Sequence, residues 1–350
     1  MTPLNELAAE LLETSASGYA AAALARWPET EPAAVPGTDR AAWKPHLVQR
    51  VLELAAAVRV EQPELFARRV TWLRRAALAR GTDERDIERA LRSLRAALQH
   101  ELPANLKGVI APPFDLALGA FTEPVLPEPV ALDADAPLHR LALRYLAACL
   151  EGTPERAIDL VLTEIERGLA PGAAYADVLL PAQREVGHLW HVGDVSIAEE
   201  HLVSETTRDL MATIVANYAP GGTPRRTLIA ASVAGNAHDL GLRAAADLFR
   251  LDGWRCLFLG ANVPAAELAR AADAFGADLV LLNATLDTHL KPLADAIATL
   301  RRSAPRCRIL VGGRAFDGVP ELAVKLGADA FAASIDAAVT TGNALVDARA

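Results

Sequence analysis

The chain has 350 residues, 52% hydrophobic and 23% charged, the balance of a globular protein of two or three domains rather than of a disordered or low-complexity chain. Its formal net charge of -9 argues against broad attraction to nucleic acid or anionic membrane, although a local basic face can survive inside an acidic whole. Cys149, Cys256 and Cys307 have neither disulfide-framework nor metal-ligand spacing and are expected to be buried thiols, and the start of the chain has no basic-then-apolar leader, so a cytoplasmic protein without a membrane partner is expected.

Residues 1–121 are rich in Ala, Leu and Arg with helical periodicity, clearest over 44–60, 63–80 and 83–101. Thr82 is expected to cap the last of these, with Arg85 where a capping box would place an acid. From Arg68 to Arg95, nine arginines stand against four acids, Asp83, Glu84, Asp86 and Glu88. Such a run reads first as a solvated helix face and second as the mark of an anionic partner. Residues 122–137 hold Pro124, Pro127, Pro129 and Pro137 and read as a linker.

Residues 138–219 parse into four helices, 138–150, 154–168, 173–191 and 195–218, broken at Gly152-Thr153, Pro171-Gly172 and Gly193-Asp194. Short connections between helices of this length predict a four-helix bundle, with Pro181 kinking or breaking the third. Over 226–350, apolar strands at 227–233, 255–259, 279–282, 308–311 and 328–331 alternate with helices at 240–251, 264–275, 290–302, 320–326 and from 335. That alternation predicts a doubly wound, flavodoxin-like, five-stranded parallel sheet. The expected class is a multidomain α plus α/β chain: N-terminal helical domain, helical bundle, C-terminal parallel sheet.

The segment Asn236-Ala237-His238-Asp239-Leu240-Gly241 follows the first strand. Another 41 residues lead from Gly241 to Asn283-Ala284-Thr285-Leu286, and 26 lie between Thr285 and Gly312-Gly313. All three fall at carboxyl ends of strands, where ligands of open parallel sheets sit. A loop histidine can ligate a transition metal, and glycines let the backbone approach something bulky.

The pattern resembles the cobalamin-binding domain shared by methionine synthase, corrinoid methyl carriers, mutases and light-responsive regulators: Asp-x-His-x-x-Gly, then Ser-x-Leu or Ser-x-Thr-Leu, then Gly-Gly. The resemblance implies that His238 is the lower axial cobalt ligand and that Asn236, Asp239, Gly241, Asn283, Thr285, Leu286, Gly312 and Gly313 contact the cofactor, with its displaced benzimidazole base beside Asn283 and the glycine turn. Asn236 stands where the family has an acid, and as a weaker acceptor it is expected to soften cobalt ligation. Asn283 stands where the family has serine and is expected to reshape the base groove.

Trp190, with His191 beside it, is followed after nine residues by Glu200-His201. This resembles the CarH class of adenosylcobalamin-dependent light-sensing regulators. The resemblance implies that the bundle caps the upper corrin face, that Trp190, Glu200 and His201 line an adenosyl pocket, and that His191 takes the cobalt once light has removed the adenosyl group. His188, one turn earlier, competes for that last role. That class carries a winged helix-turn-helix domain. Residues 1–121 show no recognised version of it, so DNA binding has no motif behind it, and a protein partner or homo-oligomer assembly is the expected output. Methylcobalamin on a methyl carrier serving a methyltransferase is the alternative. Neither a Walker loop, a Gly-x-Ser-x-Gly elbow nor a Cys-His zinc cluster is present, and a non-enzymatic role is expected.

Overall fold

A computed structural model describes residues 2–30, 42–125, 132–224 and 226–348. The chain divides into two compact units, Met1–Glu128 and Pro129–Ala350. Among the described residues no helix is long and apolar enough to cross a membrane. Part of the proline-rich stretch, 126–131, lies outside the described residues.

The first unit is all-helical: α1 (Pro3–Thr14), α2 (Ala16–Thr30), α3 (Trp43–Arg59), α4 (Pro63–Ala79), α5 (Glu84–Glu101) and α6 (Lys107–Gly119). Periodicity located α3 to α5 but not the other three. In α2 the run of small residues offers little polar contrast, and α6 carries Pro112 and Pro113 inside it, against the usual exclusion of proline from helix interiors. The cap of α5 is Asp83 rather than Thr82: its carboxylate accepts the Arg85 N–H at 3.0 Å. Much of the arginine run is engaged with acids, Arg85 with Asp83, Arg89 with Asp86 and Arg92 with Glu88 within the run, and Arg95 with Asp115 of α6. Arg74, 2% exposed, pairs with Glu84 at 2.9 Å, donates to the Ala120 and Glu123 carbonyls and lies 4.3 Å over the Phe121 ring.

The second unit begins with the bundle: α7 (Pro137–Leu150), α8 (Pro154–Glu166), the single turn α9 (Pro171–Ala173), a π-helical stretch Ala174–Leu179, α10 (Leu180–Val192) and α11 (Ile197–Tyr218). The break expected at Pro181 is this widened stretch, which sits just ahead of the proline and accommodates its missing N–H. Gly193, at φ +93°, ends α10 in the left-handed conformation glycine adopts without penalty. A reciprocal box starts α11: the Ser196 hydroxyl accepts the Glu199 N–H, and the Glu199 carboxylate accepts the Ser196 N–H at 2.7 Å.

Five parallel strands follow, β1 (Thr227–Val233), β2 (Arg255–Val263), β3 (Leu279–Asn283), β4 (Arg308–Gly312) and β5 (Ala330–Ala332), in the order β2-β1-β3-β4-β5. Helices α12 (Leu240–Leu251), α13 (Ala265–Ala274), α14 (Leu290–Ser303), α15 (Leu322–Lys325) and α16 (Ile335–Asp347) connect and cover them. Strand order reverses between β1 and β3, where this flavodoxin-like arrangement opens its ligand crevice. In register, Ser232 pairs with Asn283 and Asn283 with Gly312, so the three motif segments start side by side at the carboxyl ends of the central strands. β2 runs four residues past its expected end because Gly260 (φ +78°) and Asn262 (φ +56°) kink it, and its register with β1 shifts there.

One hydrophobic core runs through the bundle and the sheet domain, from Tyr145, Leu179 and Met211 to Phe249, Leu281 and Leu310. Embedded in it, the fully buried Asp247 accepts hydrogen bonds from Tyr175 of the π-helical stretch at 3.3 Å, Arg243 at 3.0 Å and Arg250 at 2.5 Å. Burial pushes the Tyr175 phenol well above its ordinary value, so it stays a donor. Cys149 and Cys307 are buried as expected, but Cys256 is only half-buried; desolvation still pushes its thiol up to about 12.

Candidate functional site

His238 lies exposed in the loop between β1 and α12, and its neighbours fix it from several sides. The side-chain oxygen of the fully buried Asn236 accepts the His238 backbone N–H at 3.0 Å and lies 3.3 Å from the ring Nδ1. The Asn236 amide nitrogen donates to the Asn283 carbonyl at 3.0 Å and to the Thr285 hydroxyl at 3.3 Å. Because that carbonyl can only accept, the amide's orientation is determined, and an oxygen faces the imidazole. The Nδ1 then carries the proton and Nε2 carries the ring's lone pair. On the other side, the His238 carbonyl accepts from Ser232 at 3.0 Å and from the Asn283 amide at 2.7 Å.

Asn283 is therefore occupied in holding the histidine loop, and Thr285 sits within 3.3 Å of the amide nitrogens of both Asn236 and Asn283. Leu286 is extended, with its N–H donating to His289 Nδ1 at 3.1 Å; His289 is thus a buried structural acceptor. Gly313 has φ +110°, and a Cβ there would stand 2.2 Å from the Ala284 carbonyl oxygen and 2.3 Å from Asn283 Oδ1. Only glycine lets β4 turn this close to the end of β3. Gly312 is less constrained, its nearest neighbour to such a Cβ being 3.4 Å away, and at Gly241 nothing lies within 4 Å.

Two further residues escaped the motif reading. Asn262, in the left-handed region, accepts the Gly235 N–H at 2.7 Å on its side chain and donates its own N–H to the Asn236 carbonyl at 3.0 Å. Arg208 of α11 reaches Asp239 at 2.6 Å. An asparagine two residues after a glycine near a strand end is a local signal that could have found the first; Arg208 has no local signal, because its role comes from tertiary packing.

At the bundle's end, Glu200 lies 2.5 Å from His201 Nδ1 and accepts the Ser204 hydroxyl at 2.7 Å. Trp190 is 36% exposed, whereas His191 is 5% exposed and His188 half-buried. Glu200 precedes Arg208, which contacts the β1–α12 loop through Asp239, by eight residues of α11, about 12 Å along a helix.

Among the described residues no group of three or more His, Cys, Asp or Glu side chains could hold a metal ion. A lone oriented imidazole at the carboxyl ends of the parallel strands suits a metal that brings its own further donors, and a corrin fits that donor set. The comparisons agree. A B12 binding domain model matches residues 226–340 and a second B12 binding domain model matches residues 141–214. Bundle and sheet domain are thus B12-binding domains, and the chain belongs to the cobalamin-binding proteins that pair them. Within that class it is CarH-like: it is 32% identical over 171 residues to the HTH-type transcriptional repressor CarH of Myxococcus xanthus, a match covering 49% of this chain and 56% of that one. It is also 25% identical over 187 residues to dimethylamine corrinoid protein 2 of Methanosarcina acetivorans, covering 52% of this chain and 81% of that one. The monomethylamine corrinoid protein of Methanosarcina barkeri shares the fold, with TM-score 0.50 and 17% identity over 58% of this chain and 96% of that one.

Proposed function

We propose that the protein is a non-enzymatic sensor that holds adenosylcobalamin between His238 below and the Trp190, Glu200 and His201 end of the bundle above. The observation that carries this is the carboxylate of Glu200, fixed by His201 and Ser204 at the start of a capped helix, the helix that follows the exposed Trp190 at the end of α10. A carboxylate of this kind suits ribose hydroxyls, and a large aromatic suits a flat base. A methyl group needs neither. When bound, the cofactor supplies a cobalt–carbon bond that green or blue light breaks.

The protein's residues would do the rest. His238 holds the metal through Nε2; Asn236 fixes the ring; Asp239, Gly241, Asn283, Thr285, Leu286, Gly312 and Gly313 line or build the lower crevice. His191 is proposed to become the upper ligand after illumination. Its burial means it must leave a packed position, so the bundle must shift, and that shift would change assembly with a second copy or with a protein partner of residues 1–121.

A second reading is a methylcobalamin carrier serving a methyltransferase, supported by the dimethylamine corrinoid relative, of which the match covers 81%. Absorbance of the protein loaded in the dark with adenosylcobalamin, before and after green light, separates the two. The sensor predicts a retained bis-histidine spectrum after light that His191→Ala abolishes, with a change in size on gel filtration. Plain aquocobalamin that washes off would rule the switch out and leave the carrier.

A further inference from the structure

We infer that Arg208 is a positioning residue that latches the helical cap to the cobalt-ligand loop, so that the position of the bundle controls how well His238 can ligate. The inference rests on the His238 reading but goes beyond it. Most side-chain bonds described at this loop, from Asn236, Ser232, Asn283 and Asn262, arise within the sheet domain. The bond from Arg208 to Asp239, at 2.6 Å, arises in the bundle. Asp239 occupies the N-cap of α12, where an aspartate normally accepts a backbone N–H of its own helix. Here it makes no such cap bond; its carboxylate is turned to Arg208 instead, with the Asp239 side chain 10% exposed and that of Arg208 31%.

Asp239 directly follows the ligand, and Arg208 lies two helical turns beyond Glu200. A displacement of α11 at its cofactor-facing end is thereby transmitted to the residue next to the ligating imidazole. Glu205, one turn back on α11, lies 3.3 Å from the guanidinium; partial burial works against the charge of Arg208, and the Asp239 carboxylate, with Glu205 behind it, more than offsets this.

The test uses the full chain with Arg208→Ala, Arg208→Lys, Asp239→Asn and His238→Ala. Without cofactor, hydrogen exchange of amides 234–241 should quicken several-fold in Arg208→Ala and Asp239→Asn, while exchange in β3 and β4 stays as in wild type. With adenosylcobalamin, both should bind about fivefold more weakly and show a smaller histidine-ligated fraction in the dark spectrum; Arg208→Lys should recover most of both. Wild-type loop exchange, or equal or tighter binding, in Arg208→Ala and Asp239→Asn overturns the latch. His238→Ala isolates the underlying reading: if its spectrum matches wild type, His238 is not the ligand, and the cofactor-free exchange still decides whether the latch exists.

Discussion

One side-chain oxygen, that of Asn236, takes the backbone N–H of His238 at 3.0 Å and faces the same residue's Nδ1 at 3.3 Å. The other half of that amide ties the loop to the Asn283 carbonyl. Asn236→Ala should leave the ring free to rotate and reduce cobalamin affinity by about 10- to 100-fold. Asn236→Asp should not restore it, because a carboxylate would face the Asn283 carbonyl with no proton between them. Absorbance titration measures both. An aspartate variant that folds and binds as tightly as wild type would show that the donor half of the amide is dispensable.

Gly313 and Gly312 offer a matched pair. Gly313→Ala meets a positive φ and two oxygens closer than 2.5 Å to the new methyl, and should cost roughly 3 kcal/mol of stability while displacing Asn283 from the His238 carbonyl. Gly312→Ala meets its nearest atom at 3.4 Å and should be nearly silent. Urea denaturation of the two proteins compares them directly; equal midpoints would refute the close-approach argument.

Much of this was readable beforehand because strands buried on both faces are continuous apolar runs. β1 and α12 fall where the pattern put them, and the spacing of His238, Asn283 and Gly312 pointed to the crevice. What escaped has physical reasons. The extension of β2 depends on left-handed Gly260 and Asn262, which break the apolar run that marks a strand. Asn283 reads in sequence as a groove-lining group, yet its amide is occupied by the His238 carbonyl. Arg208 became visible only when packing brought α11 to the β1 loop.

The box at the start of α11 carries a pH dependence. Backbone and side-chain hydrogen bonds from Ser196 hold the Glu199 carboxyl below its ordinary value of 4.5. A carboxyl lowered in the folded state contributes stability above its unfolded value and loses it as pH falls through the folded one. The gap in urea midpoint between wild type and Glu199→Ala should therefore be present at pH 7 and narrow below about pH 4.5. A gap that is constant with pH would mean that the ionised carboxylate does not cap the helix.

In the first unit, Arg74 joins the start of α5 to the chain leaving α6. Its guanidinium bonds Glu84 and the Ala120 and Glu123 carbonyls while covering Phe121, and a planar fork serves these directions where an ammonium cannot. Arg74→Met keeps much of the volume but loses every one of these bonds, and should destabilise this unit by about 2 kcal/mol. Arg74→Lys should recover only part of that. Hydrogen exchange in α4 to α6 of the full chain reads the effect locally, and exchange in β1 to β5 serves as the internal control. If lysine restores wild-type protection, charge alone suffices and the fork geometry is incidental.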